Sequence, residues 1–230
     1  MKVKKLNIAI IPARYGSKRI KHKNIKKFIT KPIILHVIDL LKKSKFFDLI
    51  VVSSDSKKIL DIAERGGANY LINRPKELAN DKADTKSVIL HSIKILEKKF
   101  ELENIFCTYP TSIFLTSKII IKAFELEKKT KNFIFGACSY DHPIQRSFKK
   151  NIHNNVKLNF PKQISKRTQD LKKNYHDAGQ FYLASKDNWL KTRSIISNKS
   201  NFIELSRFEC QDIDTHDDWK FAEILYKNVK

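Results

Sequence analysis

The chain is short of the residues that break or cross-link a backbone. Its 230 residues include five glycines, six prolines and three cysteines. So few breakers exclude a low-complexity or collagen-like chain and leave room for long regular elements. Cys107, Cys138 and Cys210 are scattered and form no C-x-x-C pair. That spacing argues against a disulfide framework or a zinc site, and it fits a reducing cytoplasm. No uninterrupted apolar run reaches the roughly 18 residues of a membrane span. The basic start Met1-Lys2-Val3-Lys4-Lys5 precedes an apolar run of only strand length, which Pro12 and Arg14 cut short. No signal peptide is expected from it. Acidic charge is scarce as well: 24 Asp and Glu stand against 46 Lys and Arg, a net charge of +22. Such a surplus attracts either nucleic acid or small anionic substrates. The lysines are spread over nearly every expected helix and loop, which favours the small anions. Cations grouped on one face with exposed aromatics would instead favour nucleic acid.

What is present is organised around Ile8 to Asn24, IAIIPARYGSKRIKHKN. An apolar run, Ile8 to Ile11, reads as a buried strand of a parallel sheet. The turn after Pro12 carries Arg14, Gly16 and Ser17, then the cations Lys18, Arg19, Lys21 and Lys23. Ligands of open α/β sheets bind beyond the carboxyl ends of the strands. A turn there with backbone N–H groups and cations suits a polyphosphate. The pattern is neither a P-loop nor G-x-G-x-x-G.

Farther along, apolar residues at helical spacing (Ile34, Val37, Ile38, Leu41) predict a helix through Lys43. Phe47 to Ser54 reads as a strand, and Asp55 or Ser56 as the cap of a helix over Lys57 to Glu64. Asn69 to Ile72, Asn104 to Cys107 and Asn132 to Ser139 read as further strands, with helices between them. Strict alternation predicts a largely parallel sheet with helices on both faces. The length suits one large α/β domain, 1–230. After Ser139 the pattern turns polar and irregular as far as Asn174, which suggests an excursion at about 140–175.

The wording PARYGSKRIKHKN resembles the signature of the nucleotidylyltransferases that make CMP-activated acidic sugars. Further matches run through most of the chain: VVSSDS, NRPKEL, DKADT, TYPTS and CQDIDT. The resemblance implies a three-layer, Rossmann-like nucleotide-diphospho-sugar transferase fold. It implies a nucleotide site of Ala13, Arg14, Gly16, Ser17, Lys18, Lys23, Asn24, Arg74, Asp84, Thr85 and Tyr109. Tyr109 stands where the family commonly has Gln, and Asp84-Thr85 also reads as a helix cap. Asp55 is a candidate for the pocket on the same ground. Asp212 and Asp214 would bind Mg²⁺, because two carboxylates two apart on an extended segment point to one side and offer hard oxygen ligands. Arg14, Lys18 and Lys23 would carry catalysis with them, and no general base stands out.

The segments HPIQR, RTQDL and YHDAGQFY resemble the pseudaminic acid branch rather than the sialic acid one. On that likeness Gln145, Arg146, Arg167, His176, Asp177, Gln180 and Tyr182 would read a nine-carbon acidic sugar, with Arg146 or Arg167 on its carboxylate. The excursion would pair two chains as a homodimer. CTP and the sugar are the implied partners, with no nucleic acid and no membrane.

Overall fold

A computed structural model describes residues 4–80 and 83–229. Asp81 and Lys82, the head of the DKADT segment, lie outside the described residues. Strand β1 (Leu6–Pro12) leads through the signature turn and the small strands β2 (Lys27–Phe28) and β3 (Lys31–Pro32) into helix α1 (Ile33–Ser44). Strands and helices then alternate: β4 (Leu49–Ser54), α2 (Lys57–Arg65), β5 (Tyr70–Asn73), α3 (Thr85–Leu96), β6 (Leu102–Thr108), α4 (Ser117–Thr130) and β7 (Ile134–Ser139). The excursion holds a hairpin, β8 (Phe148–Lys150) and β9 (Val156–Leu158). After it come β10 (Tyr175–Ser185), α5 (Lys186–Lys191), β11 (Asn201–Leu205) and α6 (His216–Val229). None of the described helices is long and apolar enough to cross a membrane.

Seven strands form the main sheet in the order β11-β7-β10-β6-β1-β4-β5. All neighbours are parallel except β10, which runs antiparallel between β6 and β7. The apolar run of β1 explains the layering. Side chains alternate between the two faces of a strand, so a run buried on both sides must be apolar throughout. Ile8 and Ile10 pack with Ile89 and Ile93 of α3 and Trp189 of α5. Ala9 and Ile11 pack on the other face with Val37 and Ile38 of α1 and Ile120 of α4. Three layers result, as the alternating pattern implies.

Two features of the sheet position the site. The chain moves outward from β1 to β4 and β5, then returns to place β6 on the opposite side of β1. The crevice between the loops after β1 and β6 is therefore a topological switch point, where such folds bind ligands. The second feature is a bulge in β10. Asp177 and Tyr182, five residues apart, pair with Ala137 and Phe135 of β7, two apart. Four residues, 178–181, thus stand opposite the single Gly136 of β7, three more than a regular ladder holds. Gly179 adopts φ +61° there, a left-handed conformation that disfavours other residues. Its N–H is held by the Asp177 carboxylate at 2.9 Å.

Candidate functional site

The signature turn closes on itself through its last residue. The Asn24 side-chain amide donates to the Arg14 carbonyl at 2.8 Å, and Asn24 is buried. Ala13 continues the ladder by donating its N–H to Ser53 at 2.9 Å. Gly16 lacks a positive φ, and a Cβ there would meet nothing, so this conformation does not itself require glycine. Asp55 departs from the expected cap. Ser56 takes the N-cap position of α2 without a side-chain bond, while Asp55 accepts the Tyr15 N–H at 2.9 Å. Asp55 thus braces the signature turn.

Lys23 reaches across 190 residues. Its ammonium donates to the Ile213 carbonyl at 2.6 Å and to the Asp214 carboxylate at 3.1 Å. Arg19 pairs with the other oxygen of Asp214 at 2.7 Å. Asp218 holds the same segment from α6, accepting the N–H groups of Asp214 and Thr215 and the Thr215 hydroxyl. Thr215 returns a bond to the Asp218 N–H, a reciprocal cap at the helix start.

These contacts wall a cavity of about 420 Å³ at the switch point. Arg14, Ser17, Lys18, Lys23, Asn24, Arg74, Asp84, Thr85, Tyr109 and Asp214 line it, together with Arg19, Pro110 and Thr111. Ten of the residues expected from the sequence are therefore brought together, while Ala13, Gly16 and Asp212 do not line it. Arg74 is the most telling member. It is 5 % exposed, yet its Nε and Nη2 have no hydrogen-bond partner among the described residues. Burial depresses its pKa, Asp55 opposes that, and Arg14 adds to it. A buried guanidinium with orphaned donors is costly unless an anion satisfies it.

The far wall is built by α3 and the loop after β6. Asp84 caps α3 by accepting the Ser87 N–H at 2.7 Å, which with its further bonds to Ser87 holds its pKa down. The Thr85 hydroxyl meets the Tyr109 hydroxyl at 2.6 Å. Burial pushes the Tyr109 pKa up, so Tyr109 stays a neutral phenol. Thr108 and Ser112 serve the fold instead. Both hydroxyls donate to the Gln180 carbonyl at 2.8 Å and fasten the β10 bulge to this loop.

The acidic pair lies in a segment, 211–214, that belongs to no strand of the sheet. Asp214 faces the cavity, while Asp212 accepts the Ile213 N–H at 2.8 Å. Asp212 keeps a solvent-exposed edge but is crowded by its neighbours. Burial, and after it the charge of Asp214, raises its pKa.

The expected sugar-reading residues are not gathered in one place. Gln145 is buried and donates to the Lys172 carbonyl, with its own carbonyl oxygen unpartnered among the described residues. Arg146 donates to the Lys166 carbonyl at 3.1 Å, and Arg167 is exposed. His176 lines a second cavity of about 820 Å³ with Tyr140, Arg207 and Cys210. Asp177 accepts the Tyr182 hydroxyl at 2.5 Å, and burial raises the Tyr182 pKa. Gln180 is buried beside the Gln211 carbonyl. Arg19 belongs to the basic turn read as suited to a polyphosphate, whereas Thr111 was not singled out, although it stands inside a quoted motif.

A family model described as cytidylyltransferase matches residues 8–226. The chain belongs to the cytidylyltransferase family. This cytidylyltransferase is 39 % identical over 224 residues to the pseudaminic acid cytidylyltransferase of Campylobacter jejuni, covering 96 % of each chain. It is 30 % identical over 226 residues to the CMP-N,N'-diacetyllegionaminic acid synthase of Legionella pneumophila, covering 95 % of each. Among solved structures it is similar to a CMP:2-keto-3-deoxy-manno-octonic acid synthetase complexed with CTP. That match has a TM-score of 0.71 at 14 % identity and covers 96 % of this chain and 98 % of the other. At such identity the likeness concerns the fold, and it agrees with the three layers described above.

Proposed function

We propose that this cytidylyltransferase transfers CMP from CTP to the anomeric hydroxyl of pseudaminic acid and releases pyrophosphate. The observation that carries the reading is the buried, unsatisfied guanidinium of Arg74 among the cations of the switch-point cavity. A triphosphate is the substrate group that answers it. The choice of acid rests on the YHDAGQFY segment and on the Campylobacter relative.

In the reaction the anomeric oxygen bonds to the α-phosphorus as the bond to pyrophosphate breaks, and the hydroxyl proton is released. Such transfers depend on positioning and charge neutralisation more than on covalent help. Arg14, Lys18 and Lys23 neutralise the triphosphate and its leaving group, and the Arg fork takes two oxygens at once. Lys23 also holds the Asp214 segment against the signature turn, so the two act as one unit. Thr85 and Tyr109, locked to each other, offer hydroxyls to the cytosine from the start of α3.

Asp212 and Asp214 fit Mg²⁺ as hard carboxylate ligands. Asp214 lines the cavity, and Asp212, two residues before it, offers a second carboxylate of the oxygen type that Mg²⁺ takes. When bound, Mg²⁺ supplies charge neutralisation at the phosphates and acidifies the attacking hydroxyl. The excursion supports a homodimer. Phe148, Ile152 and Val156 expose 59 %, 94 % and 60 % of their surface there, as a partner-facing patch would. Three free cysteines and a CTP-dependent reaction suit the cytoplasm.

Pyrophosphate release with CTP and Mg²⁺ tests the reading, with pseudaminic, N-acetylneuraminic and legionaminic acids in parallel. Release with pseudaminic acid alone is expected. Release with another acid only would overturn the choice of sugar. Folded protein that binds CTP but releases nothing with any acid would overturn the acceptor class.

A further inference from the structure

We infer that Cys138, His176 and Cys210 form a binding site for a soft divalent cation such as Zn²⁺, distinct from the Asp212–Asp214 pair. In sequence these residues are 38 and 34 positions apart (176 − 138 and 210 − 176), so their spacing matches no metal motif. The fold gathers them: their ligand atoms lie within 4.8 Å of one another.

The sheet does the gathering. Cys138 and His176 are register partners on the antiparallel strands β7 and β10. Such pairs have Cβ atoms about 4.5–5.5 Å apart. On the other flank of Cys138 stands Leu205, the last residue of β11. A tight turn then brings Cys210 back. Its N–H donates to the Ser206 carbonyl at 3.1 Å, and the Glu209 carboxylate accepts the Ser206 N–H at 2.9 Å and hydroxyl at 2.8 Å. The strand that carries one ligand therefore has a further ligand on each side.

The chemistry of the donor set is selective. Two thiolates and an imidazole favour Zn²⁺ over Mg²⁺, which takes oxygen. Tetrahedral Zn²⁺ with Zn–S bonds of about 2.3 Å sets its sulfurs about 3.8 Å apart. The ligand atoms already lie within 4.8 Å of one another, so small side-chain rotations bring the sulfurs to that spacing. The His176 ring is steadied by Tyr140, whose ring centroid lies 5.0 Å away, and its Nδ1 lies 3.0 Å from the Asp177 carbonyl. The tautomer that donates from Nδ1 leaves the Nε2 lone pair for the cation, the usual outer support of a ligating histidine. All three residues line the 820 Å³ cavity, which supplies an entry path and leaves the fourth position for water or an anionic group. Binding releases two thiol protons to solvent.

The test uses reduced, metal-free full-length protein titrated with Co²⁺ and then Zn²⁺. The expected result is one Co²⁺ per chain, a thiolate-to-cobalt charge-transfer band, displacement by Zn²⁺ and no displacement by Mg²⁺. Cys138 is buried, so Cys210→Ser and His176→Gln are the variants of choice. Cys210→Ser should abolish the band, and His176→Gln should weaken binding at least tenfold. Both should keep the native circular dichroism and CTP titration. Absence of the band in the wild type, or a full band in Cys210→Ser, overturns the site. Loss of both thiols in air, with no cobalt band under reductant, makes the pair a redox couple and also overturns it.

Discussion

On the side proposed for the nucleotide, loops from β1, β5 and β6 and the start of α3 meet around one cavity, and several are tied in place. Lys23 ties the first loop to Asp214, Asn24 ties it to Arg14, and Tyr109 ties β6 to α3. The acceptor region is different. Gln145 and Arg146 bond to the excursion's own carbonyls, Arg167 stands in solvent, and His176 faces another cavity. The half proposed for the nucleotide is thus braced within one chain, while the residues proposed for the acceptor are dispersed. The lesson is where each half draws its rigidity. The first is set at the carboxyl edge of a parallel sheet, while the second is divided between the excursion, which holds Gln145, Arg146 and Arg167, and strand β10, which holds His176, Asp177, Gln180 and Tyr182.

Removing Asp214 should break the braced half most severely. Asp214→Ala deletes a carboxylate of the proposed reaction centre and frees Lys23 and Arg19, so kcat should fall by about 10²–10³-fold. Near-normal turnover in steady-state kinetics would remove Asp214 from the mechanism. A smaller and more selective loss is expected from the dispersed half. Arg146→Ala should raise the KM for the acid about tenfold, the loss of roughly one charge-assisted bond, and leave the KM for CTP unchanged. An equal change in both constants would show that the halves are not separate.

Asp212 sharpens the comparison through pH. Its folded-state pKa lies above the ordinary carboxylate value. Its contribution to stability is therefore fully present below the unfolded pKa and is lost as pH rises through the folded one. Without divalent metal, thermal melts should show the wild type losing ground to Asp212→Asn as pH rises from about 4 toward neutrality. Added Mg²⁺ should reverse the order at neutral pH. Parallel pH profiles for the two proteins would contradict this. Tyr109→Phe should have the mildest effect. It removes one hydroxyl pair worth about 0.5–1.5 kcal/mol, so the KM for CTP should rise only a few-fold.

Much of the nucleotide half was legible in the sequence, because strand ends and turn chemistry are local. The apolar run of β1, the basic turn and the Asp84 cap all follow from neighbouring residues. Of the two cap candidates Ser56 takes the position, and the bond of Asp55 to the Tyr15 N–H was out of sight because its partner is forty residues away. The β10 bulge was hidden for the same reason: Thr108 and Ser112, which pin it, belong to another loop. The support of the Asp214 segment was hidden in the same way: Asp218, which accepts the N–H groups of Asp214 and Thr215, belongs to the start of α6.

Calorimetric titration of CTP into the wild type and Arg74→Met, without acceptor acid, tests the braced nucleotide half most directly. The account predicts one CTP per chain in the wild type and at least tenfold weaker binding in the variant. The variant's melting temperature should not fall, since a buried unpaired charge has been removed. Equal affinity in the two proteins would contradict the assignment of this cavity to the nucleotide.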